Sequence, residues 1–164
     1  MSELSVLLRR SLCDVDQEVA NCIAAEARRQ SGRLELVASE NHISAAQLEA
    51  SGSILGNTTV EGYPGARFLA ASEAVDALER LAIERACKVF NARFANVQPH
   101  SGTQANQAVM LALLRPGDTL LSMSLAAGGH FSHGEPSTLS GQWFTAVHYG
   151  VDAQTLLIDY EQVL

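Results

Sequence analysis

Phe94-Ala95-Asn96-Val97-Gln98-Pro99-His100-Ser101-Gly102-Thr103-Gln104-Ala105-Asn106 is the stretch on which the fold turns. Residues 94–98 read as a short buried strand, 100–103 as a turn of small residues, and 104–114 as a helix. A strand that passes through such a turn into a helix aims the first helical N–H groups at one spot. Gly102 lets a ligand come close to the backbone, and Ser101 and Thr103 add hydroxyls. Together these make an anion or phosphate site at a helix terminus. They describe an ordinary serine-capped helix equally well, because Ser and Thr are common caps. The stretch is neither G-x-x-x-x-G-K-[ST] nor G-x-G-x-x-G, which argues against nucleoside triphosphate and dinucleotide sites.

Working outward, residues 14–29 predict a helix, with Val15, Val19, Cys22 and Ile23 near a 3.6 period and Arg28 and Arg29 at its C-terminal end. Ser44 is the expected N-cap of a helix reaching about Leu55. Residues 57–71 form a loop rich in turn formers. Ser72 is expected to cap a helix over 73–90 whose buried face holds Val75, Leu78, Ala82 and Val89. Downstream, 119–123 and 143–148 predict strands separated by a glycine- and histidine-rich loop over 128–134. Ile158 ends a possible strand, and Asp159 is placed to cap a final helix. Strands alternating with helices imply an α/β layer structure with a largely parallel sheet. Few strands and a closing helix of only a few residues make the chain read as the first part of a larger fold.

Composition narrows the function. The 164 residues are 47% hydrophobic, enough for a packed core, which excludes disorder. The net charge of -7 argues against binding a nucleic-acid backbone. No apolar run is long enough to cross a membrane. The first residues, 1–16, lack the features of a signal peptide, so a reduced cytoplasmic protein is expected. Cys13, Cys22 and Cys87 have neither metal nor redox-motif spacing. Of the 11 basic residues, Lys88 is the single lysine. It falls on a helix, where a lysine is usually a solvated surface group.

Two further motifs carry chemistry. In Ala126-Ala-Gly-Gly-His-Phe-Ser-His133, His130 follows a strand at the edge where α/β proteins place ligands. It could stack on a ring or move a proton, or be a satisfied loop histidine. His130 and His133 lie three apart, but no further ligand completes a metal site, so no metal is expected. In Val60-Glu-Gly-Tyr-Pro-Gly-Ala-Arg67, Glu61 sits in a rigid turn, as a positioned acid or base would. An exposed loop glutamate is the alternative.

Taken together these stretches resemble the serine hydroxymethyltransferase family. The resemblance is carried by Leu34-Glu-Leu-Val-Ala-Ser-Glu-Asn41, Glu61-Gly-Tyr-Pro-Gly65 with Arg67, and Ala95-Asn-Val-Gln-Pro-His-Ser-Gly102 with Gln104-Ala-Asn106. Leu113-Leu-x-Pro-Gly-Asp118, Gly128-Gly-His130 with His133-Gly134, and Tyr149-Gly-Val-Asp152 extend it to the last residue. It implies a fold-type I pyridoxal-phosphate enzyme, with residues 1–56 a helical amino-terminal arm and 57–164 the first part of the cofactor-binding large domain. It implies a mostly parallel sheet flanked by helices and a dimeric core. The implied activity is aldol-type transfer of a hydroxymethyl or aldehyde unit to the α-carbon of an amino acid.

The same resemblance implies roles. Gly102 and Thr103, with Ser101 beside them, hold the phosphate of pyridoxal 5'-phosphate. His130 stacks on its ring. Ser39 lies near the substrate carboxylate, Tyr63 and Glu61 also contact substrate, and Glu61 reaches across the dimer interface and handles protons. Leu125 and Gly129 line the side where tetrahydrofolate binds. Family members are more than twice this length, and the Schiff-base lysine, the aspartate facing the pyridine nitrogen and the substrate-gripping arginine fall beyond the matched part. A second chain carrying that lysine, in a hetero-oligomer built on a dimeric core, is therefore expected. A truncated fragment of a single-chain enzyme and a non-catalytic scaffold subunit are the other readings. Thr59 and Leu69 stand where the family has tyrosines, and Ala127 where it has histidine. Those changes put tetrahydrofolate use in doubt and point to an altered aldol-type reaction.

Overall fold

A computed structural model describes residues 10–164. Residues 1–9, part of the stretch behind the signal-peptide expectation, lie outside the described residues. The chain divides into two compact units between Thr59 and Val60.

The first unit is helical. Asp16 breaks the expected 14–29 helix in two, because its carboxylate accepts from the Val19 N–H at 3.0 Å and starts a new helix. The result is α1 (Leu12–Val15) and α2 (Gln17–Ser31). Ser44 caps α3 (Ala45–Ser51) in a capping box with Gln47, as the sequence predicts. The helix ends at Gly52 rather than Leu55, and Ser53 opens a separate 3-10 turn, Ile54–Asn57. No described residue of this unit is buried.

The second unit opens with a hairpin of β1 (Gly62–Tyr63) and β2 (Ala66–Arg67). Helix α4 (Glu73–Phe90) follows, ended by Asn91 in the left-handed conformation. Its expected apolar face is not a buried face. Leu78 and Val89 are exposed, and the buried residue of the helix is Asp76. Val75 and Ala82 are half-buried, so the described residues cover that side only in part, and an amphipathic helix buries only what a partner covers.

Residues 94–98 do not form a strand in the described structure. They are irregular because a strand exists through its ladder, and no other described strand pairs with them. The helix after them is α5 (Gly102–Leu113), starting two residues earlier than predicted. Strand β3 (Thr119–Met123) then pairs in parallel with β4 (Thr145–Tyr149), from Thr119 opposite Thr145 to Met123 opposite Tyr149. Trp143, expected in β4, instead closes the short helix α6 (Leu139–Trp143), which Thr138 caps. Asp159 caps α7 (Tyr160–Val163), and Val151 bridges Ile158.

The sheet is parallel, as expected, but only two strands wide among the described residues. The apolar core is correspondingly small. Met110 of α5 and Phe144, which ends α6, are its buried hydrophobic members, while Phe94, Val89 and Leu113 are about four-fifths exposed (83%, 77% and 77%). No described helix is long and apolar enough to cross a membrane.

Candidate functional site

The turn before α5 has the chemistry its sequence suggests. Ser101 is extended and caps the helix, its Oγ accepting from the Gln104 N–H at 3.1 Å. Its carbonyl takes the Ala105 N–H at 3.0 Å. The Gly102 and Thr103 N–H groups are then the first-turn donors left over. The helix dipole adds positive potential at that point. A Cβ added to Gly102 would meet nothing within 4 Å, so open space lies directly beside those donors. Ser101 accepts through its oxygen lone pair, which leaves its hydroxyl proton free to donate. Two backbone N–H groups and a hydroxyl facing open space fit a phosphate monoester.

Asn106 lies one turn further along α5 and ties the helix to the histidine loop. Its Nδ2 donates to Ser132 Oγ at 2.7 Å and lies 3.3 Å from His133 Nε2. Ser132 in turn holds His130, with Oγ 2.7 Å and backbone N 3.1 Å from His130 Nδ1. The loop is packed hard against the end of β3. A Cβ on Gly129 would lie 2.0 Å from the Met123 carbonyl oxygen, so only glycine fits there. Ser122 of β3 donates to the His133 carbonyl at 2.6 Å and so accepts from His148 Nδ1 at 3.0 Å. His130 and His133 share a groove of about 590 Å³ with Asn106, Met110, Leu120 and Tyr149. The structure thus brings the helix turn and His130 onto one framework. Among the described residues no cluster of three metal-ligating side chains occurs.

Glu61 and Tyr63 sit on the β1–β2 hairpin. Glu61 is exposed, and its carbonyl accepts the Phe68 N–H at 3.1 Å. Gly62 has φ 96, and a Cβ there would come within 2.4 Å of the Ala66 carbonyl oxygen, so glycine is required beside Glu61. Arg67 organises the turn. Its Nη1 donates to the carbonyls of Val60 (2.9 Å) and Gly62 (2.8 Å), on both sides of Glu61. Its Nε pairs with Asp76 at 2.8 Å and its Nη2 with Glu79. Gln98 completes the clasp, its Nε2 donating to the Gly62 carbonyl at 2.9 Å and to Glu79 at 2.8 Å. Asn96 Nδ2 lies 3.5 Å from the Tyr63 hydroxyl. The hairpin is therefore joined to the same 94–101 segment that leads into α5.

The Arg67 guanidinium holds the Asp76 carboxyl below the usual carboxylate range, helped by the Gly65 N–H. Arg67 itself is raised, first by Glu79 and then by Asp76. A carboxylate whose folded pKa is depressed stabilises the fold above its unfolded pKa and loses that contribution as pH falls through the folded value. The hairpin is expected to keep its protection at neutral pH and to open below about pH 4. Amide exchange of Gly65 and Arg67 across an acid titration measures this. Protection unchanged down to pH about 2 would show that the clasp does not hold the turn.

Ser39 belongs to the first unit. It lies in a tight turn closed by the Glu40 N–H to the Val37 carbonyl at 3.0 Å, and it is exposed. Beside it, Glu35 is held low by the Val37 N–H, and the facing Glu35 carboxyl pushes Glu40 up. Leu125, assigned to the folate side, starts a 3-10 turn, Leu125–Ala127, and is exposed. Lys88 is exposed in the last turn of α4, a surface lysine as expected.

The sequence reading missed Arg67, Asp76, Asn106 and Ser132 as organising residues. A signal for the first pair was present: one arginine in a glycine-rich turn, followed by two carboxylates three apart in the first turns of a helix. Ser132 and Asn106 had no such signal, since 26 residues separate the bonded pair.

The family model described as serine hydroxymethyltransferase matches residues 12–164. The chain is 54% identical over 163 residues to serine hydroxymethyltransferase 2 of Ralstonia nicotianae, covering 99% of this chain and 38% of that protein. It is 54% identical over 157 residues to a probable serine hydroxymethyltransferase of Rickettsia bellii and 52% identical over 157 to the serine hydroxymethyltransferase of Ehrlichia canis. Each of those alignments covers 96% of this chain and 37% of the relative. The chain therefore spans a little over a third of the length of the curated relatives it matches.

Proposed function

Because the chain belongs to the serine hydroxymethyltransferase family, we propose that it forms the amino-terminal part of a pyridoxal-phosphate enzyme, completed by a second chain that carries the cofactor-anchoring lysine. The reaction is aldol-type transfer of a hydroxymethyl or aldehyde unit to the α-carbon of an amino acid. The observation that carries it is the open pair of N–H donors at Gly102 and Thr103, one turn from an asparagine hydrogen-bonded to the His130 loop. When bound, pyridoxal phosphate supplies an electron sink for negative charge at the amino acid α-carbon.

The chain's own residues then have distinct tasks. Gly102, Thr103 and the Ser101 hydroxyl hold the phosphate. His130 packs its ring against the pyridine. Glu61, clamped at the backbone on both sides by Arg67, moves a proton at the substrate hydroxyl, reaching the neighbouring site of a dimer. Tyr63 and Ser39 contact substrate, Ser39 at its carboxylate. Leu69 brings no hydroxyl to the folate side, so transfer without tetrahydrofolate is favoured. The exposed apolar residues of α4 and α5 and the two-stranded sheet suit burial by the second chain.

The test is a visible spectrum with added pyridoxal phosphate. After unbound cofactor is removed by gel filtration, this chain alone is expected to keep no visible band, whereas its complex with a chain carrying the lysine half should stay yellow. Gly102→Val fills the open space beside the donors and should weaken cofactor uptake by about tenfold or more. A coding sequence that continues in frame past Leu164 would put the lysine on the same polypeptide instead. A complex that stays fully active with both Glu61→Gln and His130→Ala would make this chain a scaffold.

A further inference from the structure

We propose that Asn106 and Ser132 are positioning residues that lock His130 in the tautomer carrying its proton on Nε2 and fix the plane of its ring. The proposal rests on the reading of His130 as the residue that packs on the cofactor. The hydrogen bonds that carry it do not depend on that reading.

Two donors converge on one ring nitrogen. The Ser132 backbone N–H donates to His130 Nδ1 at 3.1 Å, so Nδ1 is an acceptor. Ser132 Oγ lies 2.7 Å from the same nitrogen. That oxygen already accepts from Asn106 Nδ2 at 2.7 Å, which leaves its own proton to be given to Nδ1. The relay therefore runs one way, from the Asn106 amide through the Ser132 hydroxyl to His130. His133 Nε2 lies 3.3 Å from the same amide and, with its proton on Nδ1, would accept the other N–H.

Burial makes the relay more than a loop contact. Ser132 is 2% exposed, so water does not compete for its hydroxyl, while His130 itself remains open to the groove. A buried hydroxyl with both its bonds made is costly to disturb. Asn106 stands on α5 four residues after Gly102, on the same helix face. The orientation of the ring is therefore referred to the helix whose first N–H groups are assigned to the phosphate. Two ends of one flat ligand would be held in register by a single rigid element.

The test reads the tautomer directly. In the histidine-15N-labelled chain, long-range proton–nitrogen spectra should show His130 with Nδ1 bare and Nε2 protonated. Ser132→Ala should give a mixture of tautomers, and Ser132→Thr, which keeps the hydroxyl, should restore the single form. Asn106→Asp provides a second route should Ser132→Ala fail to fold. The introduced carboxylate accepts the Ser132 proton, which leaves the Ser132 backbone N–H as the one donor to Nδ1, so the same mixture of tautomers should appear. A wild-type His130 bearing its proton on Nδ1 would overturn the lock without touching the cofactor assignment. So would variants that leave the tautomer unchanged.

The completed holoenzyme separates the two questions. Ser132→Ala should shift the visible band of the bound cofactor and lower kcat by about tenfold, with Ser132→Thr recovering both. A locked tautomer whose loss leaves the band and kcat unchanged would overturn the positioning role. A wild-type complex that takes up no cofactor at all would instead sink the family-based function, with the His130 tautomer still answering for the lock.

Discussion

Arg67→Met is expected to release the Glu61 hairpin and to cost the completed enzyme about a hundredfold in kcat, the usual scale for displacing a reacting group by an ångström. The reason lies in what the arginine leaves behind. Its guanidinium serves the carbonyls of Val60 and Gly62 and the carboxylates of Asp76 and Glu79. The Asp76 and Glu79 side chains are only 11% and 12% exposed, and without the cation they are two like charges facing each other in a poorly solvated place. Removing one member of such a cluster is far worse than removing all of it. Amide exchange at Gly65 and Arg67 should accelerate by at least about tenfold, and Tm should fall by several degrees.

The compensating variant makes the outcome decisive. Arg67→Met combined with Asp76→Asn and Glu79→Gln removes the charges together, and stability should return in large part. Activity should stay low, because the Val60 carbonyl loses its arginine donor and the Gly62 carbonyl keeps only Gln98. Recovery of activity along with stability would show that the arginine supports the fold and does not position Glu61.

That clasp also marks the limit of what one sequence reveals. Ser101 and Ser44 were readable as caps because each meets its partner three residues on, and the pattern is entirely local. The β3–β4 pair was readable because each strand is a short apolar run bounded by turn formers. Arg67 and Asp76 are nine residues apart and belong to different elements, so their pairing depends on a hairpin whose direction no local pattern sets. Residues 94–98 failed for the opposite reason. Their composition suits a strand, but a ladder needs a neighbour, and the neighbour is not among the described residues. The apolar stripe of α4 is of the same kind, a face written for a surface that the described residues do not contain. Of the candidate site, residue identities were legible and the relays joining them were not, since Asn106 meets Ser132 only after an intervening strand and loop have folded.

Glu61→Gln is expected to lower kcat of the completed enzyme by about 10²–10⁴-fold while leaving KM nearly unchanged, the range for losing a positioned acid–base group. The structure separates the two halves of this residue. Its backbone is fixed from both sides, by Arg67 on the Val60 and Gly62 carbonyls and by Phe68 on its own carbonyl. Its side chain projects from an exposed position on a hairpin that Gly62 keeps tight. A glutamine of the same length therefore preserves the turn and removes only the proton-accepting oxygen, so Tm and amide exchange should match the wild type. The contrast with Arg67→Met identifies the role. Both lower kcat, but only the arginine variant should soften the hairpin, and only the glutamate variant should abolish a limb of the pH–rate profile outright. Full activity in Glu61→Gln would leave the clamp as a purely structural device and assign proton transfer to another group, His130 or one outside these 164 residues.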